Sequence, residues 1–102
     1  MGTLHYDGER FEFDDLVLAH LQVIIGLKLR RNESFFISWH IGTENGSGRN
    51  VIWIDNGIPI RIRYAGSRPP QINREWAESL SFAANTSSGL VITDERIAPA
   101  ED

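Results

Sequence analysis

Three histidines, His5, His20 and His40, are the side chains of this sequence best suited to proton transfer or metal ligation. No two of them lie at the i,i+4 spacing of a helix or the i,i+2 spacing of a strand. No carboxylate frames them as a metal motif either, so they read as structural and no metal is expected. The carboxylate pairs also have ordinary explanations. Asp14-Asp15 stands where a helix cap is needed, and Glu75 and Glu78 lie at i,i+3 beside Arg74, as on a solvated helix face. Ser67, in AGSRPP, lacks the G-x-S-x-G flanks of a nucleophile elbow. There is no P-loop and no G-x-G-x-x-G, and the GSG at 46–48 reads as loop. Catalysis would need a site assembled by the fold from His5, His20, His40, Asp55 and Ser67. The reading leans to a non-catalytic chain without a cofactor.

Arginine is the remaining chemistry. Arg61 and Arg63 alternate with isoleucines along one strand and share its outer face, expected beside the face of another strand that carries Phe36 and His40. Arg68 precedes the second helix and Arg74 stands in its first turn. Guanidinium at a helix N-terminus suits an anion, and guanidinium beside aromatic rings suits nucleobases. The plainer reading is that Arg61 and Arg63 keep an edge strand from pairing with other chains.

The elements that must position these residues are organised around the run from Phe13 to Trp39. From Leu16 to Leu29 only His20, Gln22, Gly26 and Lys28 interrupt an apolar sequence. At a helical turn per 3.6 residues, Val17, Leu18, Leu21, Ile24, Ile25 and Leu29 make one broad arc. Leu16, Ala19, Val23 and Leu27 make a second, with His20 and Gly26 beside it. A helix apolar on both sides must be covered on both sides. The second arc, Leu16, Ala19, His20, Val23, Gly26 and Leu27, is therefore the expected interface of a homodimer, with Ala19 and Gly26 letting another backbone come close. Lys28, Arg30 and Arg31 suit the helix C-terminus, and Asn32 suits a left-handed stop.

Before this helix, strands at 2–6 and 9–13 flank Asp7-Gly8, a type I′ hairpin signal. After it, a strand at 34–41 puts Phe35, Ile37, Trp39 and Ile41 on one face. A loose loop spans 42–50. Strands at 51–55 and 58–64 flank Asn56-Gly57, read as a second hairpin turn, and Pro59 marks the later strand as an edge. Pro69 and Pro70 are expected in the first turn of the second helix, whose stripe is Ile72, Trp76, Leu80 and Ala83. A last strand spans 90–93. The order ββαβββαβ, rich in hairpins, predicts an α+β domain with a mainly antiparallel sheet of about six strands and both helices packed on it.

The chain has 102 residues, room for one domain, and a formal net charge of −4. Residues 94–102 carry four acids and one base, which leaves residues 1–93 with ten acidic against nine basic side chains. A single domain at 1–93 with a frayed acidic tail at 94–102 is expected. So near-neutral a body argues against tight sequence-independent DNA binding. Absence of cysteine excludes thiol chemistry and cysteine-based zinc sites. No basic or apolar leader opens the sequence and no run is long and apolar enough for a bilayer, so a cytoplasmic protein without a membrane partner is expected.

GTLHY, FDDLVLAHLQ, KLRRNESFFISW, the IWI and IPI segments, YAGSRPPQINREW and the GL near the end together resemble a family of short bacterial proteins of unknown function. The likeness covers nearly all of residues 1–93. Many of those proteins carry the label "ATP-dependent DNA ligase". Such ligases use a lysine nucleophile in K-x-D-G, whereas the single lysine here is Lys28, in LKLRR. The resemblance therefore carries over family identity and no catalytic residue. The favoured expectation is a homodimeric interaction domain. The alternative is a nucleic-acid or nucleotide-binding accessory protein that reads through Arg61, Arg63, Arg68 and Arg74.

Overall fold

Asp7 and Gly8 adopt φ values of 53° and 83°, the left-handed pair that a type I′ turn requires, and they fold the N-terminus into a hairpin. The computed structural model describes residues 1–41 and 48–92. In it β1 (Gly2–Tyr6) and β2 (Glu9–Phe13) lead into α1 (Asp15–Arg30). Then come β3 (Phe35–Ile41), β4 (Gly48–Ile54), β5 (Ile60–Arg63), α2 (Arg74–Ala84) and β6 (Leu90–Ile92). This is the expected α+β order. The six strands form two three-stranded sheets, β2-β1-β5 and β4-β3-β6, antiparallel except where β6 runs parallel to β3.

The two sheets arise where a hairpin is expected. Asn56-Gly57 does not return β4 onto β5, and neither residue takes a positive φ. Instead Asp55 accepts the Gly57 N–H through its carboxylate at 3.0 Å and the Ile58 N–H through its carbonyl at 3.3 Å. That local turn sends the chain across to β1, where Ile60 and Ile62 pair with Tyr6 and Leu4. Pro59 lies just ahead of β5, an edge strand as expected.

Tyr6 ties the two sheets together. Its hydroxyl donates to the Trp53 carbonyl at 2.6 Å and accepts the Asp55 N–H at 2.8 Å. Between the sheets, the Trp39 ring meets Phe11 and Phe13 edge-on, at centroid separations of 5.2 and 5.0 Å. Leu4, Leu18, Leu21, Ile24, Ile37, Ile54 and Leu90 are the most deeply buried apolar side chains, so the first arc of α1 is core as expected.

The end of α1 follows its sequence. Asn32 takes φ 61°, and the Asn32 and Glu33 N–H groups bond back to the Leu29 and Lys28 carbonyls, a Schellman arrangement. Lys28 does more than suit a helix terminus. Its buried ammonium donates to Glu33 at 3.0 Å and to Asn85, the C-cap of α2, at 2.6 Å.

Two further expectations need correction. Residues 48–50 are strand rather than loop, because Arg49 and Asn50 continue the ladder opposite His40 and Trp39. The rest of that loop, the side chain of Ile41, Thr93 and the tail at 94–102 lie outside the described residues. Helix α2 starts later than the prolines suggest. Asn73 is its N-cap, accepting the Trp76 N–H at 2.9 Å, so Pro69, Pro70 and Ile72 all precede it. Of the expected stripe, Leu80 is buried, with Ala84 beside it, and Trp76 is half-buried.

Candidate binding site

Residues 64–73, which join β5 to α2, lie across α1 as a strap. Three polar side chains of α1 hold it. Asp15 accepts the backbone N–H groups of Ala65 and Gly66, one on each carboxylate oxygen, at 3.0 and 2.8 Å. Gln22 accepts the Tyr64 hydroxyl at 2.7 Å. His20 accepts the Asn73 N–H on Nε2 at 2.9 Å. Its Nδ1 is 2.8 Å from the Leu16 carbonyl, and these two partners assign the proton to Nδ1. The Trp76 ring covers the imidazole at 4.2 Å. The strap is thus anchored at its start by Asp15 and Gln22 and at its end by His20.

This changes the role of the acidic pair. Asp14 is the N-cap of α1 but makes no capping bond through its side chain. Asp15, one residue on, spends both oxygens on the strap. The two N–H donors, Ala65 first, hold its carboxyl below the usual value. The Tyr64 phenol is shifted up, by burial first and then by the Asp15 charge.

Between α1 and the strap lies an open pocket of about 370 Å³. Ala19, Val23, Pro69, Pro70 and Ile72 supply apolar walls, and Gln22, Tyr64, Ser67 and Arg68 supply polar groups. Val23 and Ile72 also border a second groove of about 410 Å³ between α1 and α2, with Leu27, Arg74 and Glu78 on its sides.

The candidate residues fall into separate places. Arg68 is at the strap pocket and Arg74 at the adjoining groove. Arg61 and Arg63 are on the outer face of the other sheet, opposite His5 and Thr3 on β1. Arg10 pairs with His5 from the other side. The structure therefore does not bring the four arginines together. Nor does it set Arg61 and Arg63 beside Phe36 and His40, which belong to β3 in the second sheet. Among the described residues, none of the best-formed pockets holds two of His5, His20, His40, Asp55 and Ser67, and no hydrogen bond joins them. Also among the described residues, no group of three or more His, Asp or Glu could hold a metal ion.

The second arc of α1 divides. Ala19 and His20 are buried within the chain, at 8 % and 0 % exposure, and Leu16 is half-buried. The strap and α2 cover His20 from within the chain, through Asn73 and Trp76. Val23 and Leu27 stay exposed, at 37 % and 42 %. Among the described residues, a methyl group added at Gly26 between them would meet nothing within 4 Å.

A second apolar surface escaped sequence reasoning. Phe36, Val51, Trp53 and Val91 are exposed on the outer face of the β4-β3-β6 sheet, with the Phe36 and Trp53 rings edge-on at 4.7 Å. Val51 and Trp53 alternate with buried or half-buried isoleucines, which marks their face. Their neighbours Phe36 and Val91 follow only from the strand register.

Fold and site together define a small α+β domain whose central helix is bridged by a hydrogen-bonded strap over an open apolar pocket. Residues 1–95 match a family described as "Domain of unknown function (DUF7882)", and the chain belongs to it. That description assigns no activity, ligase or other. No curated protein and no solved structure matches the chain. Among the described residues, no helix is long and apolar enough to cross a membrane.

Proposed function

We propose that this chain is a non-catalytic, cytoplasmic interaction domain that docks a second copy of itself on the open half of the second arc. The observation that carries this is the row Val23, Gly26 and Leu27, continued by Ile72 at 38 % exposure. A glycine in mid-helix costs roughly 0.5–1 kcal/mol relative to alanine, yet none of the described residues needs the space above Gly26. Close approach of another backbone gives that space a use. Arg74 and Glu78 border the same groove one helical turn apart. A two-fold axis passing between them would set each Arg74 against Glu78 of the other copy. Phe82, 77 % exposed one turn beyond Glu78, would be partly covered by such docking. Nucleic acid is the second reading. It rests on the row Arg10, His5 and Arg61 across the outer face of the first sheet, and its mark would be binding that weakens steeply with salt.

Size-exclusion chromatography with light scattering tests self-association. The expected result at tens of micromolar is a particle of twice the 11.5 kDa chain mass. Leu27→Glu, which changes an exposed residue, should return it to one chain mass. A wild-type protein that runs as a monomer under those conditions would overturn the proposal.

A further inference from the structure

We infer that the pocket beneath the strap is a binding site for a small organic anion, a carboxylate on a compact apolar or aromatic body. This goes beyond self-association and does not require it, although Val23 and Ile72 border both surfaces. The pocket holds about 370 Å³, within the range of roughly 300–1,000 Å³ that small-molecule sites occupy. Its walls are largely apolar, with Val23 on one side and Pro69, Pro70 and Ile72 on the other.

The polar lining is biased toward donors. Arg68 brings a guanidinium, with no ion-pair partner among the described residues. Ser67 brings a hydroxyl. The carbonyl oxygen of Gln22 is taken by Tyr64, which leaves the Gln22 amide NH₂ as its remaining polar group. Among the described residues, no aspartate or glutamate lines the pocket. The nearest acid of the strap network, Asp15, has both oxygens occupied by Ala65 and Gly66. A carboxylate would therefore find charged and neutral donors, and its body would find the proline and valine wall.

The pocket is also formed in advance. Asp15, His20 and Gln22 fix the strap before any ligand arrives, so little ordering cost attaches to binding. Loop ends held this tightly are needed if Arg68 is to face one place.

Benzoate, benzamide and inorganic phosphate are the probes, titrated into the full chain and followed by amide chemical shifts. Benzoate should saturate and shift the amides of Gln22, Val23, Ser67 and Arg68. Benzamide, which lacks the charge, and phosphate, which lacks the apolar body, should each bind at least about tenfold more weakly. Arg68→Gln, at an exposed strap position, should keep the wild-type spectrum and lose about tenfold in benzoate affinity. The inference fails if benzoate produces no saturable shift, or shifts residues elsewhere. It fails equally if benzamide matches benzoate, or if Arg68→Gln leaves benzoate affinity unchanged.

Discussion

Asp15 gives both carboxylate oxygens to backbone N–H groups fifty residues away along the chain. The ionised form accepts two such bonds, whereas the protonated form would turn one acceptor into a donor facing an N–H. The folded protein therefore holds this carboxyl below its ordinary value of 3.8. A group with a depressed folded pKa stabilises the fold above its unfolded value, and that contribution is lost as pH falls through the folded value. Asp15→Asn should melt lower than wild type at neutral pH, since its amide keeps one acceptor and adds a donor. The gap should begin to close once the pH drops below about 4, as the wild-type carboxyl gains its proton. Melting both proteins from pH 7 down to about 2.5 checks this. A gap that stays constant across the acid range would mean that the strap bonds do not depend on the charge.

Within α1, the polar residues that interrupt an apolar sequence each reach a different segment. Asp15 and Gln22 hold the start of the strap, His20 holds its end, and Lys28 holds the end of α2. Burial of His20 is tolerated because both ring nitrogens are bonded. His20→Leu keeps the volume approximately but removes the acceptor from the Asn73 N–H and the donor from the Leu16 carbonyl. A hydrogen bond of this kind contributes about 0.5–1.5 kcal/mol net. The melting temperature should fall accordingly, and hydrogen exchange at the Asn73 amide should speed up while the Lys28 contacts stay intact. Unchanged exchange at Asn73 would show that His20 does not hold the strap.

Elements whose signals are local were legible in the sequence: the Asp7-Gly8 hairpin, the Asn32 stop and the alternation of isoleucine with arginine in β5. Asn56-Gly57 was misread because Asp55, one residue earlier, captures Gly57 and overrides the hairpin preference. The prolines were misplaced because the capping bond of Asn73 set the start of α2. The strap was invisible because its bonds join residues more than forty positions apart, and nothing in local composition pairs Gln22 with Tyr64. Of the candidate site, Arg68 and Val23 were picked out as residues, but their meeting at one pocket depends on that strap.

At the scale of the whole molecule the question is where the second arc of α1 is completed. The first arc is core: Leu21 is 1 % exposed and Ile25 6 %. Replacing a packed leucine by alanine costs about 2–5 kcal/mol, against some 5–15 kcal/mol for the total stability of a domain. Leu21→Ala should therefore lower the melting temperature by about ten degrees or more, and because the loss lies inside one chain, it should be nearly the same at every protein concentration. Leu27 is on the part of the second arc that the strap and α2 leave open. In an isolated chain its truncation removes little packing and should cost little. In a dimer it removes contacts made only when two chains meet, and their contribution follows mass action. Leu27→Ala should thus melt close to wild type in dilute solution and fall behind as concentration rises, because only wild type gains from association. Melting wild type, Leu21→Ala and Leu27→Ala across a hundredfold dilution series separates the two kinds of burial. If the Leu27→Ala deficit is the same at both ends of the series, the open arc is a surface of the monomer and no second copy sits on it.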